Sequence, residues 1–240
     1  MSAISVKNLN KKFILHLPPQ TMFGFLSSMV FAGKYRREIW ALRNIDFEAA
    51  RGDRIGLIGG NGSGKTTLLR ILARLYERTS GMLAVNGTVT AFLQSGAGME
   101  RELSAVENIY LFGAIMNMER EEITEKLPDI ARFAGIGEFL DCPLKDFSAG
   151  MVQRLAFSIA YHADSDILLL DEMLSSGDAK IRGKSRAVFE KAVNQSKTII
   201  ITSHDMGIIR EFCNKALLLE KGEKVMFGPT EKVLEAYKSL

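Results

Sequence analysis

Near its amino end the chain alternates apolar and polar positions. Ile4-Ser5-Val6-Lys7-Asn8-Leu9 has the period of two of a half-buried strand, which is expected to continue towards Phe13. Ile45-Asp46-Phe47-Glu48-Ala49 repeats the pattern before a turn at Arg51-Gly52-Asp53. Further along, alternation gives way to unbroken apolar runs at Ile55-Gly56-Leu57-Ile58, Asp166 to Asp171 and Lys197 to Thr202. The last two predict strands covered on both faces, as in a parallel sheet. Gly81 to Thr90 reads as a hairpin with an Asn86-Gly87 turn, followed by a strand at Ala91 to Gln94. Helical spacing holds over Leu68, Leu69, Ile71, Leu72 and Leu75, and again over Val106 to Met116, Arg120 to Ala134 and Ala149 to Tyr161. A strand pair around Lys221-Gly222-Glu223 and a helix from Thr230 to Tyr237 close the chain. The mainly helical block between two strand-rich parts is expected to be a subdomain inserted into the core.

One segment departs from this rhythm. Leu17 to Trp40 opens with Pro18-Pro19, then sets Met22, Phe25, Leu26, Met29 and Val30 at helical spacing before Lys34, Tyr35, Arg36 and Arg37. An apolar face capped by basic residues suits a membrane interface or a groove on a membrane protein. A short helix packed on its own domain fits the pattern equally well.

The first apolar run leads into Gly59-Gly60-Asn61-Gly62-Ser63-Gly64-Lys65-Thr66, then Thr67 and an apolar helix. This is the spacing of a phosphate-binding loop, in the strand-to-helix context that gives the spacing meaning. Glycines let consecutive N–H groups turn towards an anion, and the helix aims its positive end at the same point. Lys65 then reaches the β- and γ-phosphates of a nucleoside triphosphate, and the Thr66 hydroxyl ligates Mg²⁺. Asp171, at the end of a buried run, is suited to hold the same ion, and Glu172 to orient or deprotonate the attacking water. A structural ion-pair site is the other reading of two such carboxylates.

Composition narrows the field. The chain has 240 residues, 47% hydrophobic and 25% charged, enough for one sizeable core. A net charge of +3 gives no basis for a nucleic-acid surface. Cys142 and Cys213 stand alone, so neither a disulfide framework nor a zinc site is expected, and a reducing cytoplasmic compartment fits. The amino end lacks a secretory layout, and the apolar runs fall short of the roughly 20 residues that span a bilayer.

Phe147-Ser148-Ala149-Gly150-Met151, upstream of Asp171-Glu172 and opening a predicted helix, resembles the signature motif of the ATP-binding-cassette ATPases. Gln94 matches their Q-loop, Ser176-Gly177-Asp178 their D-loop and His204 their switch histidine, in the right order over nearly the whole chain. The resemblance implies an α/β fold, a P-loop NTPase core of the RecA-like type with an inserted α-helical subdomain at about 99–163 and an N-terminal antiparallel β portion. All of it forms one nucleotide-binding domain over 1–240. It implies ATP and Mg²⁺, with Gly59 to Thr67 holding the phosphates and Thr66, Gln94 and Asp171 at the metal. Lys65, Gln94, Glu172 and His204 are its catalytic residues. Ser148, Gly150 and Asp178 meet nucleotide across a homodimer, and Phe13 stacks on adenine, with Tyr35 and Trp40 as alternatives.

The signature here departs from the usual Leu-Ser-Gly-Gly-Gln and is similar to the Tyr-Ser-Ser-Gly-Met form of O-antigen, capsule and teichoic-acid exporters. Gly96-Ala97-Gly98, Asp171 to Asp178 and Trp40 to Ile45 resemble the same subfamily, which also carries an insertion where this chain has residues 17–40. That turns the insertion towards contact with a membrane subunit. The implied protein is an ATPase at the cytoplasmic face of the inner membrane, working beneath two transmembrane channel subunits on a lipid-linked glycan, with no nucleic-acid partner. Some members carry a carbohydrate-binding domain after the ATPase; a chain ending at Leu240 implies either an exporter that does not read a sugar cap through this subunit or a piece of a longer protein. An ABC exporter of another substrate, or a soluble ABC ATPase acting on nucleic acid, is the alternative. A non-enzymatic nucleotide-gated regulator would be expected to lack Glu172.

Overall fold

The computed structural model describes residues 2–16, 36–93, 98–171, 197–203 and 205–239. In chain order its elements are β1 (Ser2–His16), β2 (Arg36–Ala50), β3 (Arg54–Ile58), α1 (Lys65–Leu72), β4 (Ser80–Val85), β5 (Val89–Phe92), α2 (Ala105–Ile115) and α3 (Arg120–Ala134). There follow α4 (Ala149–His162), β6 (Ile167–Leu170), β7 (Thr198–Thr202), α5 (Met206–Phe212), β8 (Lys215–Glu220), β9 (Glu223–Pro229) and α6 (Thr230–Lys238). The strands join in the order β4-β1-β2-β9-β8-β3-β7-β6-β5. From β8 to β5 every neighbour is parallel, while β4-β1-β2 and β9-β8 are antiparallel.

The apolar runs are explained by a core on each face of the parallel strands. Along β6, Leu168 and Leu170 turn to one core while Ile167 and Leu169 turn to the other. β7 divides Ile199 and Ile201 from Ile200 in the same way, and β8 divides Ala216 and Leu218 from Leu217 and Leu219. A strand with helices on one side only would have shown alternation instead. One core takes its helical share from α2 to α6. The other encloses α1, through Leu68, Leu69, Ile71 and Leu72, against β1 and β2.

In β1 and β2 the period of two slips. Ile4, Val6 and Leu9 are all buried although Val6 and Leu9 are three apart, and so are Leu42 and Ile45. Asn8 and Asn44 lie between them with φ of 47° and 49°, and the β1–β2 register shifts between Val6 and Leu9. A bulge at each asparagine returns the next apolar side chain to the core, in a backbone region that asparagine tolerates. β2 begins at Arg36, so residues 36–40 of the expected insertion are strand, and residues 17–35 lie outside the described residues.

Two expectations are corrected. Asn86-Gly87 does not close a hairpin, because β4 pairs with β1 and β5 with β6, at opposite ends of the strand order. Tertiary partners take up its polar groups: Asn86 N–H donates to the Ala3 carbonyl at 2.8 Å, and Thr88 N–H to Asp166 Oδ2 at 2.8 Å. Leu75 does not belong to a buried helix face. α1 stops at Leu72, Arg74 adopts φ 60°, and Leu75 is left 65% exposed.

Candidate nucleotide-binding site

β3 delivers the phosphate loop to the carboxyl edge of the sheet. Its start is fixed by buried Asp53, whose carboxylate accepts from Ala50 N–H (2.7 Å), Lys215 Nζ (2.7 Å) and Asn214 Nδ2 (3.2 Å). Burial alone would raise the Asp53 pKa; the Lys215 ammonium and the two amide donors outweigh it and hold the carboxyl below its ordinary value.

Beyond β3 the backbone turns through conformations open to glycine. Gly59 has φ 143° and Gly64 φ 104°, and a Cβ at Gly64 would stand 2.7 Å from the Ala41 carbonyl oxygen. Gly60, Asn61 and Gly62 face solvent while Ser63 and Lys65 are buried. Lys65 curls back over the loop, donating to the Gly59 and Gly60 carbonyls at 2.8 and 3.0 Å. Its ammonium is thereby held at the loop itself. Gly64 caps α1 without a side-chain bond, and the first turn carries no acidic residue. The Ser63 hydroxyl is buried with no hydrogen-bond partner among the described residues. An open glycine face, a fixed cation, a helix start free of negative charge and an orphaned hydroxyl together fit a polyphosphate.

The strand register brings in the acidic partner. β3, β7 and β6 are consecutive parallel neighbours, with Leu57 opposite Thr202 and Leu170 opposite Ile201. Asp171, one residue past β6, therefore lies level with Thr202, with only β7 between it and the strand that feeds the loop. Thr202 Oγ1 donates to Asp171 Oδ1 at 2.5 Å. The Asp171 carboxylate and the Thr66 hydroxyl at the start of α1 are oxygen donors of the kind that Mg²⁺ prefers. Glu172, Gln94, His204 and Asp178 lie outside the described residues.

Ser148 is elsewhere. It caps α4, accepting from Met151 N–H at 3.3 Å, and is itself exposed, while the largely half-buried first turn that follows lacks acidic residues. The main packing partners of α4 are α3, α2 and β5, so Ser148 and Gly150 belong to the helical layer rather than to the phosphate loop of their own chain. Of the candidate aromatics, Phe13 meets Tyr76 edge to face at 5.7 Å, with Lys11 Nζ 4.8 Å from its centroid. Trp40 is exposed between Lys12 and Arg43, and Tyr35 lies outside the described residues. Three features of the site were missed by sequence reasoning: the Thr202–Asp171 bond, the orphaned Ser63 hydroxyl, and the Tyr76 ring beside Phe13. The first had a signal, since threonine in an otherwise aliphatic strand end supplies a hydroxyl that strand formation does not need.

A family model described as ABC transporter matches residues 42–175, a span that holds the loop, the signature helix and Asp171. The chain belongs to the ABC transporter family. This ABC chain is 38% identical over 98% of its length to a teichoic acids export ATP-binding protein of Lactococcus lactis, of which it spans 50%. It is 33% identical over 84% of its length to an O-antigen export system ATP-binding protein of Klebsiella pneumoniae, of which it spans 82%. It thus covers about half the length of some curated relatives and most of others. Among solved structures, an ATP-binding cassette in a dimeric post-hydrolysis state bound to ADP and Pi matches 95% of this chain and 98% of its own, with a TM-score of 0.75 and 21% identity. At that identity the likeness is one of fold, and it agrees with the expected P-loop α/β architecture.

Proposed function

We propose that this chain is the ATP-hydrolysing subunit of an ABC exporter that moves a lipid-linked polysaccharide, of O-antigen, capsule or teichoic-acid type, across the cytoplasmic membrane. The observation that carries the ATPase reading is the loop from Gly59 to Thr67, with Lys65 held across it and Asp171 on the same sheet edge. The glycan reading is supported by relatives named for teichoic-acid and O-antigen export.

In this reading Lys65 and the loop N–H groups neutralise the phosphates, Phe13 stacks on adenine, and Thr66, Gln94 and Asp171 hold Mg²⁺. The ion, when bound, offsets charge that develops on the transferred phosphoryl group. Glu172 and His204 orient the water. Ser148, Gly150 and Asp178 act on the nucleotide of a second copy, consistent with Ser148 standing exposed at a helix start away from its own loop. Two copies then work beneath two channel subunits at the cytoplasmic face. An apolar groove of about 510 Å³ between the ends of α1, β5 and α2 supports a helix of that membrane partner as its occupant, because Leu75 and Ile115 line it while 65% and 52% exposed. The insertion at 17–40 provides a further contact.

Phosphate release by purified protein tests the enzyme. Glu172→Gln should bind ATP as wild type does and lose most turnover, since it removes a carboxylate while sparing Thr66 and Asp171; undiminished hydrolysis would overturn the assignment. Phe25→Asp with Met29→Asp tests the partner, and unchanged co-purification with the membrane subunit would contradict the insertion's role.

A further inference from the structure

We infer that Thr202 is a positioning residue that aims the Asp171 carboxylate at the divalent cation bound with nucleotide. This rests on the reading of Asp171 as a magnesium ligand.

The geometry begins with the sheet. Thr202 ends β7, the strand between β3, which feeds the phosphate loop, and β6, which delivers Asp171. Its backbone pairs with Leu57 on one side, and the Leu170–Ile201 pair sets Asp171 beside it on the other. Both halves of the cation site are therefore measured from this one residue. Asp171 N–H is tied to the Phe92 carbonyl at 3.0 Å, which fixes its backbone but leaves its side chain to choose an orientation.

That choice is where the hydroxyl acts. The terminal torsion of an aspartate is broad, so a carboxylate at a strand end swings unless something holds one oxygen. Thr202 is fully buried, and its Oγ1 donates to Asp171 Oδ1 at 2.5 Å. Asp171 Oδ2 has no hydrogen-bond partner among the described residues. One oxygen is thus pinned and the other kept for a ligand, the division of labour by which groups behind a metal's own ligands orient them. Strand formation does not ask for this hydroxyl, because valine has the same branched shape and an equal liking for strands. Burial argues the same way: a hydroxyl placed where valine would fit carries a desolvation cost unless it is hydrogen-bonded.

The test is cation binding rather than turnover. Purified full chain is loaded with ADP, and Mn²⁺ in place of Mg²⁺ is titrated and followed by its paramagnetic resonance signal. Thr202→Val should weaken Mn²⁺ binding about tenfold or more, with Thr202→Ser restoring it to within about threefold of wild type. ADP affinity in EDTA should be unchanged in both. Wild-type Mn²⁺ affinity in Thr202→Val overturns the inference, and so does an equal loss of ADP affinity with and without metal, which marks damage to the sheet. Asp171→Asn separates the two levels: if it loses Mn²⁺ binding while Thr202→Val does not, only the positioning role falls; if it binds Mn²⁺ normally, the ligand assignment falls with it. Should Thr202→Val fail to fold, Thr202→Ala against Thr202→Ser carries the same comparison.

Discussion

Gly59→Ala separates what the phosphate loop needs in order to exist from what it needs in order to bind. A Cβ at this position would stand 2.1 Å from the Leu219 carbonyl oxygen and 2.8 Å from Ser63 Oγ. Gly59 also has φ 143°, a conformation that L residues rarely enter. Holding alanine there costs about 1–3 kcal/mol in backbone strain. Forcing the loop away from the fixed end of β8 adds about 1–3 kcal/mol, as overpacking does elsewhere. The sum, about 2–6 kcal/mol, is a large part of a typical stability of roughly 5–15 kcal/mol. At about 2–4 °C per kcal/mol for a chain of this size, the melting temperature should fall by on the order of 10 °C. The neighbouring Gly60→Ala is the control: a Cβ there meets nothing within 4 Å, so its melting temperature should stay within about 2 °C of wild type. Thermal unfolding followed by circular dichroism, with and without ADP, reads both. If Gly59→Ala melts as Gly60→Ala does, the close approach of the loop to β8 does not constrain this position.

Other outcomes follow from the same geometry. Ser148→Arg should abolish hydrolysis while the monomer still binds nucleotide, because Ser148 caps α4 in the helical layer and not its own loop; loss of monomer binding would contradict the two-chain site. Its melting temperature should move little, since losing a helix cap costs about 1 kcal/mol. Asp53→Asn should cost about 2–3 kcal/mol at neutral pH, as it strips the charged acceptor from Lys215. The Asp53 carboxyl is held below its ordinary value of 3.8, so its contribution is present above that pH and is lost as pH falls through the folded-state value. Chemical denaturation from neutral pH down to pH 3 should show wild type and Asp53→Asn converging, and a constant gap would refute the pairing. Burial pushes the Cys213 thiol up to about 12, so a thiol reagent should spare it in native protein while reaching the half-buried Cys142; equal labelling of both would be the contrary result.

How much of this was legible depended on how local the cause was. The strands β3, β6 and β7 stood out because burial on two faces removes every polar residue between their ends, and the loop stood out because its chemistry is contiguous in sequence. The start of α2 has an equally local cause, since Ser104 and Glu107 exchange the two bonds of a capping box within four residues, although the apolar spacing alone places that start at Val106. Most of the failures involve partners far along the chain. Asn86-Gly87 has the composition of a hairpin turn, but Asn86 N–H goes to Ala3 on β1 and the next residue, Thr88, to Asp166 just before β6, neither of which belongs to the strands it joins. Leu75 continues the spacing of α1, yet the left-handed Arg74 turns it out into the groove beside Ile115. Thr202 looked like one more strand former, and only the register of β6 against β7 reveals the carboxylate it holds.

The same distinction bears on how the loop is joined to the rest of the molecule. The Ser63 carbonyl accepts from Gly222 N–H at 3.1 Å, and the Gly222 carbonyl accepts from Arg43 N–H at 2.7 Å. Two hydrogen bonds through the β8–β9 turn thus connect the phosphate loop to β2, residues separated by more of the sequence than any pattern spans. β2 begins at Arg36, where the chain returns from the segment at 17–35. A shift of Ser63 on nucleotide binding therefore cannot leave the antiparallel strands untouched without breaking one of these bonds. Each is worth about 1 kcal/mol, and a break would leave buried backbone groups unpaired, which costs more than the bond itself. The proposed phosphate loop and the ribbon that carries the proposed membrane contact are consequently parts of one hydrogen-bonded frame.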